Sequence, residues 1–263
     1  SHLCAPLEQL DRTDAGAFGP KAATLGHLMR HGLSVPAGYA FAAECFDRLL
    51  RSNEFDLSPD RYPAYAGEIR EQLASYHLCD DMLAEIRAAV ADLAARFPGD
   101  PMIVRTSALC EDGRSKSLAG LFASIPDLTS EVEVSEAVRA CDVALFADAV
   151  IDRYAAGEIG ADELRAGLIV QRFVEGELSG VTFTADAVGM DPDVITFTAA
   201  AGPCAGATAA TATATTCSCR RATGEVVRRQ FVLTEDGASR MVKLGYTAAE
   251  VENNIAELGG LNG

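Results

Sequence analysis

The spacing of the apolar residues changes near Ala166, and this change constrains the fold more than any other feature of the sequence. Before Ala166 the apolar residues recur at helical spacing, whereas after it short apolar runs alternate with turn signals. We therefore predict an α+β protein with two lobes. A helix-rich N-terminal lobe covers 1–165, and a strand-rich C-terminal lobe, itself incomplete, covers 166–263.

Individual elements follow from the same spacing. Helices are predicted at 22–31, from about 43, at 64–78, at 80–97 and at 133–155, and a last helix begins at Thr247. Strands are predicted near 39–42 and in "MIVRTSA" (102–108), then at 166–176, 177–186 and 193–202, with a hairpin turn at 222–224. The low-complexity stretch 207–216 fits either a small-residue strand or a loop.

Charge and cysteine content exclude several classes of function. A formal net charge of -16 argues against a general nucleic-acid or membrane surface, because such a protein repels polyanions. No apolar run reaches the roughly 20 residues of a membrane-spanning helix. The eight cysteines are scattered without a C-x-x-C pair, so they predict small buried side chains in a reducing cytoplasm rather than a zinc knuckle.

Gly19-Pro20-Lys21 is the first of three segments that suggest anion chemistry. The glycine permits an unusual backbone angle, the proline fixes the entry of a helix, and the lysine falls in its first turn. Free amides and the positive end of the helix dipole favour an anion at that place. Taken alone, however, the pattern fits an ordinary exposed lysine better.

The second segment is "VRTSALCEDGRSKSLAGLFAS", residues 104–124. Arg105 leaves an apolar strand beside Thr106 and Ser107, and a guanidinium fixed there can clamp phosphate oxygens through two parallel hydrogen bonds. Hydroxyls and glycine amides of the polar loop 109–120 can cover the phosphates. A surface salt bridge for Arg105 and an ordinary linker explain the same residues equally well.

The third segment is "IVQRFVEGELSGVTFTAD", residues 169–186. A strand that continues as a connector between lobes presents backbone N–H and C=O groups, and an adenine edge suits that pattern. By itself, Gln171 is well explained as an ordinary polar strand residue.

Together the three segments resemble the N-terminal nucleotide-binding domain of the phosphoenolpyruvate-utilising dikinases, which include phosphoenolpyruvate synthase, pyruvate phosphate dikinase and rifampin phosphotransferase. The family pattern G-G-K-x-A-x-L-G-x-L followed by G-x-x-V-P-x-G-F/Y corresponds to "GPKAATLGHLMRHGLSVPAGY", apart from Pro20. The pattern V-R-S-S-A-x-x-E-D … S-F-A-G corresponds to "VRTSALCEDGRSKSLAG", and V-Q-x-M-V … S-G-V-x-F-T-x-D-P corresponds to "VQRFVEGELSGVTFTAD". The resemblance covers roughly residues 15–230.

This resemblance implies an ATP-grasp fold that holds Mg-ATP in a cleft between two lobes. Lys21 and Arg105 would be the catalytic residues and would bind the phosphates. The other ATP-binding residues that it implies are Thr106, Ser107, Ser117, Gly120, Ser124, Gln171, Phe173 and Val174; it assigns no metal ligand. In this family a phosphoryl group from ATP passes to a histidine on another domain or subunit, and then to pyruvate or a small-molecule hydroxyl bound elsewhere.

Three departures from the family pattern limit what carries over. None of the four histidines stands in a T-S-H-like carrier motif. The sequence reaches Gly263 before the acidic D-I-E-W-like motif that holds the metal, so we expect this fragment to be inactive alone. Where relatives carry G-L-G-E … G-x-V-x-P-D, this chain reads "GPCAGATAATATAT", which puts Ala205, Ala214 and Thr215 at the glutamate, proline and aspartate positions.

Three functions remain to be distinguished. The first is the ATP-binding module of a dikinase-type phosphotransferase. The second is a degenerate, non-catalytic nucleotide-binding or regulatory domain, which the polar residues lost at 203–215 favour. The third is a structural interaction domain that retains only the fold, and the intact Lys21, Arg105 and Gln171 argue against it.

Overall fold

The computed structural model of the chain describes residues 3–52, 62–74, 76, 78–110, 121–160, 164–186, 191–202 and 214–232. Helices accompany two antiparallel sheets, so the α+β class predicted from the sequence is confirmed. The chain divides into two compact units, Ser1–Val174 and Glu175–Gly263. Within the described ranges, no helix combines the length and the apolar character that crossing a membrane requires.

The first unit contains helices α1 to α7 and strands β1 to β5. The helices are α1 (Ala15–Phe18), α2 (Pro20–Arg30), α3 (Ala43–Ser52), α4 (Tyr62–Ala74), α5 (Asp80–Arg96), α6 (Glu131–Ala144) and α7 (Asp148–Ala155). The strands are β1 (Cys4–Pro6), β2 (Gly38–Phe41), β3 (Met102–Ala108), β4 (Ser124–Leu128) and β5 (Ala166–Arg172). Two 3-10 helices, Leu7–Gln9 and Arg12–Asp14, connect β1 to α1.

A five-stranded antiparallel sheet with the order β1-β2-β5-β3-β4 forms the centre of the first unit. β5 is the last of these strands in sequence, yet it pairs with both β2 and β3. Gly38 opposes Gln171 across β2 and β5, and Arg105 opposes Ile169 across β3 and β5. On the other edge of β3, Arg105 opposes Ser124 of β4. Because opposed residues point to the same side of a sheet, these pairs fix which side chains share a face.

Apolar side chains cover both faces of this sheet. On one face, Val104 and Val170 pack with buried residues of α5 and α6. On the opposite face, Ile169 packs with Phe18 at the end of α1 and with Ala22 of α2. Ile169 and Val170 are neighbours in sequence, so their side chains point to opposite sides of the strand and belong to different apolar clusters.

The long helix predicted at 133–155 consists of two helices, α6 and α7, which corrects the prediction. Leu145 and Phe146, at the break, are both fully buried, and the ring of Phe146 lies 6.0 Å from that of Phe46. Backbone hydrogen bonds from residues 145–147 to the residue three positions earlier tighten the chain there. Both large side chains fill the core at the point where the helix is interrupted.

The described part of the second unit is a four-stranded antiparallel sheet with the order β6-β7-β8-β9. Its strands are β6 (Leu178–Phe183), β7 (Val194–Ala201), β8 (Ala214–Arg220) and β9 (Val226–Val232). β8 and β9 form the predicted hairpin, with Gly224 at a φ of 72° in the turn. β8 includes the end of the low-complexity stretch, while 207–213 and the helix predicted from Thr247 lie outside the described residues.

The first unit extends to Val174, whereas the sequence predicted that it ends at residue 165. The difference arises because β5 completes the sheet of the first unit. Its apolar, strand-like sequence resembled the strands that follow it, and the spacing of apolar residues alone does not specify which sheet a strand joins.

Candidate functional site

The junction between α1 and α2 lies directly against the centre of the first sheet. Gly19 is the N-cap of α2 and has a φ of 80°, a backbone conformation that favours glycine. A Cβ atom at this position would lie 2.0 Å from the Ser107 carbonyl oxygen and 2.3 Å from the Ser107 hydroxyl oxygen. Pro20 then begins the helix with its fixed φ. Gly19-Pro20 therefore allows α2 to start in contact with β3.

Two hydrogen bonds attach the first turn of α2 to β3. The ammonium of Lys21 donates to the carbonyl oxygen of Thr106 at 2.8 Å, and the backbone N–H of Ala22 donates to the hydroxyl oxygen of Ser107 at 3.1 Å. The sequence predicted free amides in this turn for binding an anion. Pro20 has no N–H, however, and Ser107 accepts the one from Ala22. A side chain of the protein itself therefore occupies one of the N–H groups that the helix end could offer to an anion.

Lys21 and Arg105 lie on the same face of the first sheet. Arg105 opposes Ile169, and Ile169 belongs to the apolar cluster that contains Ala22 of α2. Because opposed residues point to the same side, the Arg105 side chain and α2 share this face. Both cations are half-buried. The Arg105 side chain and the helix that carries Lys21 thus lie on one side of one sheet.

Ser124 and Gln171 belong to the same face. Ser124, an exposed residue at the start of β4, directly opposes Arg105. Gln171 lies two positions after Ile169 on β5 and therefore points to the same side. It is only 3% exposed, and its Nε2 donates to the carbonyl oxygen of Pro36 at 2.7 Å. This hydrogen bond fixes the orientation of the Gln171 amide.

The side chains of Thr106 and Ser107, both predicted to bind ATP, are completely buried. The Thr106 side chain points to the opposite face, near the thiol of Cys141 in α6. Burial raises the pKa of Cys141 to about 12, while the Thr106 hydroxyl and the charge of Lys21 act in the opposite direction. The Ser107 hydroxyl is bonded to Ala22. The backbone carbonyl of Thr106 and the hydroxyl of Ser107 therefore contact the first turn of α2, and neither side chain has an exposed surface.

Phe173 and Val174 follow β5 at the end of the first unit. The N–H of Phe173 donates to the carbonyl oxygen of Pro101 at 2.8 Å, so this amide is engaged within the protein, and Val174 is exposed. Ser117 and Gly120 lie outside the described residues. In the part of the chain that the structure describes, no three His, Cys, Asp or Glu side chains are grouped so that they could hold a metal ion.

Asp142 of α6 is a buried acidic residue that the sequence analysis missed. It is 3% exposed, and burial raises its pKa to about 8. Burial, then Cys79 and then Asp142 raise the pKa values of Cys45 and Tyr76 to about 12. The helical spacing contained the signal, since position 142 lies four residues after Val138 on the buried side of α6.

Sequence comparisons relate this chain to ATP-binding domains. A family model described as pyruvate phosphate dikinase, AMP/ATP-binding domain, matches residues 15–254. The helices and two antiparallel sheets are consistent with the ATP-grasp fold that the sequence motifs implied.

Similar proteins are much longer than this chain. A rifampicin phosphotransferase from Streptomyces sviceus is 28% identical over 209 residues, which cover 74% of this chain and 24% of that protein. A probable phosphoenolpyruvate synthase from Methanothermobacter thermautotrophicus is 26% identical over 192 residues, or 68% of this chain and 28% of that protein. The prodigiosin synthesizing transferase PigC from Serratia marcescens is 27% identical over 219 residues, or 81% and 23%. The chain therefore spans about a quarter of the length of these curated relatives.

Proposed function

The chain belongs to the pyruvate phosphate dikinase AMP/ATP-binding domain family, and from this premise we propose that it is the Mg-ATP-binding module of a cytoplasmic, dikinase-type phosphotransferase. The phosphoryl group would pass from ATP to a histidine on another domain or subunit, and from there to pyruvate or a small-molecule hydroxyl. The observation that carries the proposal is the position of Lys21 and Arg105 on one face of the first sheet.

Two cations on one face suit a polyphosphate. The Lys21 ammonium is held at the sheet by the Thr106 carbonyl at 2.8 Å, so its charge is localised before any ligand arrives. The planar guanidinium of Arg105 can donate two parallel hydrogen bonds to phosphate oxygens. Because the chain has a net charge of -16, attraction for ATP must come from such local cations.

These groups match what phosphoryl transfer requires of a protein. The reaction depends on neutralising charge on the transferred group and on holding it in line with its acceptor. Lys21 and Arg105 would do both at the phosphates, with Ser124 beside Arg105 and with Ser117 and Gly120 in the covering loop. Magnesium, when bound, supplies further neutralisation of the phosphates, and no ligand to it is assigned in this chain.

The adenine would bind near the end of β5. Gln171 has its amide orientation fixed by Pro36, which suits a group that must match one edge of a base. Phe173 and Val174 complete this end of the proposed site, with the backbone carbonyls as their contribution, since the Phe173 N–H is engaged by Pro101.

A non-catalytic nucleotide-binding or regulatory domain is the second candidate. The sequence at 203–215 favours it, because Ala205, Ala214 and Thr215 take the positions of polar family residues. Both candidates bind ATP, and they differ in whether a phosphoryl group leaves it. Incubation with radiolabelled ATP and a histidine-bearing carrier domain of the family separates them, since only the first yields an acid-labile phosphohistidine on the carrier.

Isothermal titration calorimetry with Mg-ATP tests the binding site. Lys21→Ala and Arg105→Ala should each weaken binding about tenfold or more, because each removes hydrogen bonds between a charged donor and a phosphate. Arg87→Ala is the matched control, since Arg87 is an exposed arginine paired with Glu131, and its affinity should equal that of the wild type. A wild-type chain that does not bind ATP, or equal affinities for all four proteins, would contradict the proposal.

A further inference from the structure

We propose that Ser107 is the positioning residue for Lys21, which it holds in place through the first turn of α2. Its effect on ATP affinity rests on the proposed function, whereas its effect on Lys21 itself does not. Ser107 is completely buried and so acts without touching a ligand.

Ser107 supplies the cap that α2 lacks at its own N-terminus. The first amides of a helix have no acceptor within the helix, and a Ser, Thr, Asn or Asp at the N-cap usually provides one. Here the N-cap is Gly19, which makes no side-chain cap hydrogen bond. No larger residue fits, because a Cβ atom at Gly19 would lie 2.0 Å from the Ser107 carbonyl oxygen. The close approach that excludes a capping side chain at Gly19 brings the Ser107 hydroxyl within 3.1 Å of the Ala22 N–H.

The attachment has two points, and both are needed to orient Lys21. Consecutive residues of β3 bind consecutive residues of α2: the Thr106 carbonyl accepts from the Lys21 ammonium, and the Ser107 hydroxyl accepts from the Ala22 N–H. A long, flexible lysine side chain held only at its end leaves the helix free to turn. The second bond, at the backbone, fixes the position from which the Lys21 side chain starts.

The neighbouring strand leaves space for this arrangement. Gly167 of β5 opposes Ser107, and a Cβ atom at Gly167 would lie 2.5 Å from the Phe18 carbonyl oxygen. The end of α1 therefore lies against the same row of the sheet that carries Ser107. Glycines on both the helical and the strand side allow the serine hydroxyl to reach the first turn of α2.

The first test measures Lys21 directly. Reaction of lysine amines with an N-hydroxysuccinimide ester, followed by peptide mass spectrometry, reports how accessible Lys21 is relative to the other lysines of the same chain. Ser107→Ala should increase the relative reactivity of Lys21 severalfold, since the first turn of α2 is no longer attached at Ala22. Ser218→Ala is the matched control: Ser218 is an equally buried serine, bonded to Thr196 at 2.9 Å in the second unit. It should leave the reactivity of Lys21 unchanged.

The second test is a double-mutant cycle in Mg-ATP affinity. Ser107→Ala should weaken binding severalfold in the wild-type background and should have no further effect in the Lys21→Ala background, because it acts through Lys21. Far-UV circular dichroism and thermal unfolding establish that each variant is folded. If Ser107→Ala does not fold, Ser107→Cys replaces it, since the thiol is close in size and is a much weaker acceptor.

The outcomes separate the two proposals. Unchanged Lys21 reactivity in the Ser107 variants, or an equal loss of ATP affinity in both backgrounds, would overturn the positioning role. A wild-type chain that does not bind ATP would overturn the proposed function. In that case, increased Lys21 reactivity in Ser107→Ala would still support the positioning role.

Discussion

Replacing Asp142 with Asn should stabilise the protein, and the gain should grow from pH 5 to pH 8. Asp142 is buried in α6, and burial raises the pKa of its carboxyl group from 3.8 to about 8. At neutral pH the folded protein therefore keeps this carboxyl protonated, whereas the unfolded chain ionises it. Asn is nearly the same size and has no proton to lose, so the variant removes this difference between the two states.

The sign and size follow from proton binding. Between about pH 4 and pH 8 the folded state holds one more proton at this site than the unfolded state, so the free energy of unfolding falls as pH rises. The full slope is about 1.4 kcal/mol per pH unit, and over this interval the loss is on the order of 5 kcal/mol. Below the unfolded pKa and above the folded pKa, the contribution of Asp142 no longer changes with pH.

Urea unfolding followed by far-UV circular dichroism measures the effect, because the chain has no tryptophan for fluorescence. The stability difference between Asp142→Asn and the wild type should increase by about 1 kcal/mol per pH unit between pH 5 and pH 8. The interval ends there because the folded-state pKa of Asp142 is about 8, and above it the difference no longer changes with pH.

The control is Asp152→Asn, which changes an exposed residue of α7 and should retain the pH dependence of the wild type. A stability difference between Asp142→Asn and the wild type that stays constant from pH 5 to pH 8 would refute the raised pKa of Asp142.

Three further substitutions test the fold around the site. Gly19→Ala should lower the free energy of unfolding by more than about 2 kcal/mol, because the new Cβ would lie 2.0 Å from the Ser107 carbonyl oxygen and the positive φ adds strain; an unchanged melting temperature would contradict this close approach. Ser130→Ala should cost about 1 kcal/mol in urea unfolding because Ser130 caps α6, and Ser130→Asp should retain most of the stability. Asp47→Ala should cost about 1–3 kcal/mol because Asp47 makes a two-point ion pair with the half-buried Arg165; Asp47→Asn should cost less, and equal losses would argue against the role of charge.

The sequence predicted a helix or a turn best where the residues of that element alone indicate it. Apolar stripes predicted α2 and α5 nearly to their ends, and Ala222–Gly224 predicted the hairpin between β8 and β9. The break between α6 and α7 was not predictable in this way, because Leu145 continues the apolar stripe of α6 and neither glycine nor proline marks the break. Likewise, the sheet that β5 joins is decided by its partners β2 and β3, which lie far away in the sequence.

For the candidate site, the sequence predicted the two cations and missed how they are supported. The resemblance to the dikinase family predicted that Lys21 and Arg105 act together, and strand register puts the Arg105 side chain on the face that α2, the helix of Lys21, covers. A serine in a motif fits both contact with a ligand and a helix cap. The burial of Ser107, its hydrogen bond from the Ala22 N–H and the close approach of Gly19 favour the cap, and all three belong to the folded chain.

The central position of β5 has a consequence for how the protein is made. Before Ala166 leaves the ribosome, β1 can pair only with β2, and β3 only with β4, so the nascent chain holds two isolated ribbons with unpaired edges. Two-stranded ribbons are marginal by themselves, and exposed edges invite pairing with other chains. Emergence of seven more residues, Ala166–Arg172, allows both ribbons to join into one sheet. A translational pause before this strand emerges would therefore prolong the exposure of these edges, whereas a pause after it has emerged would not.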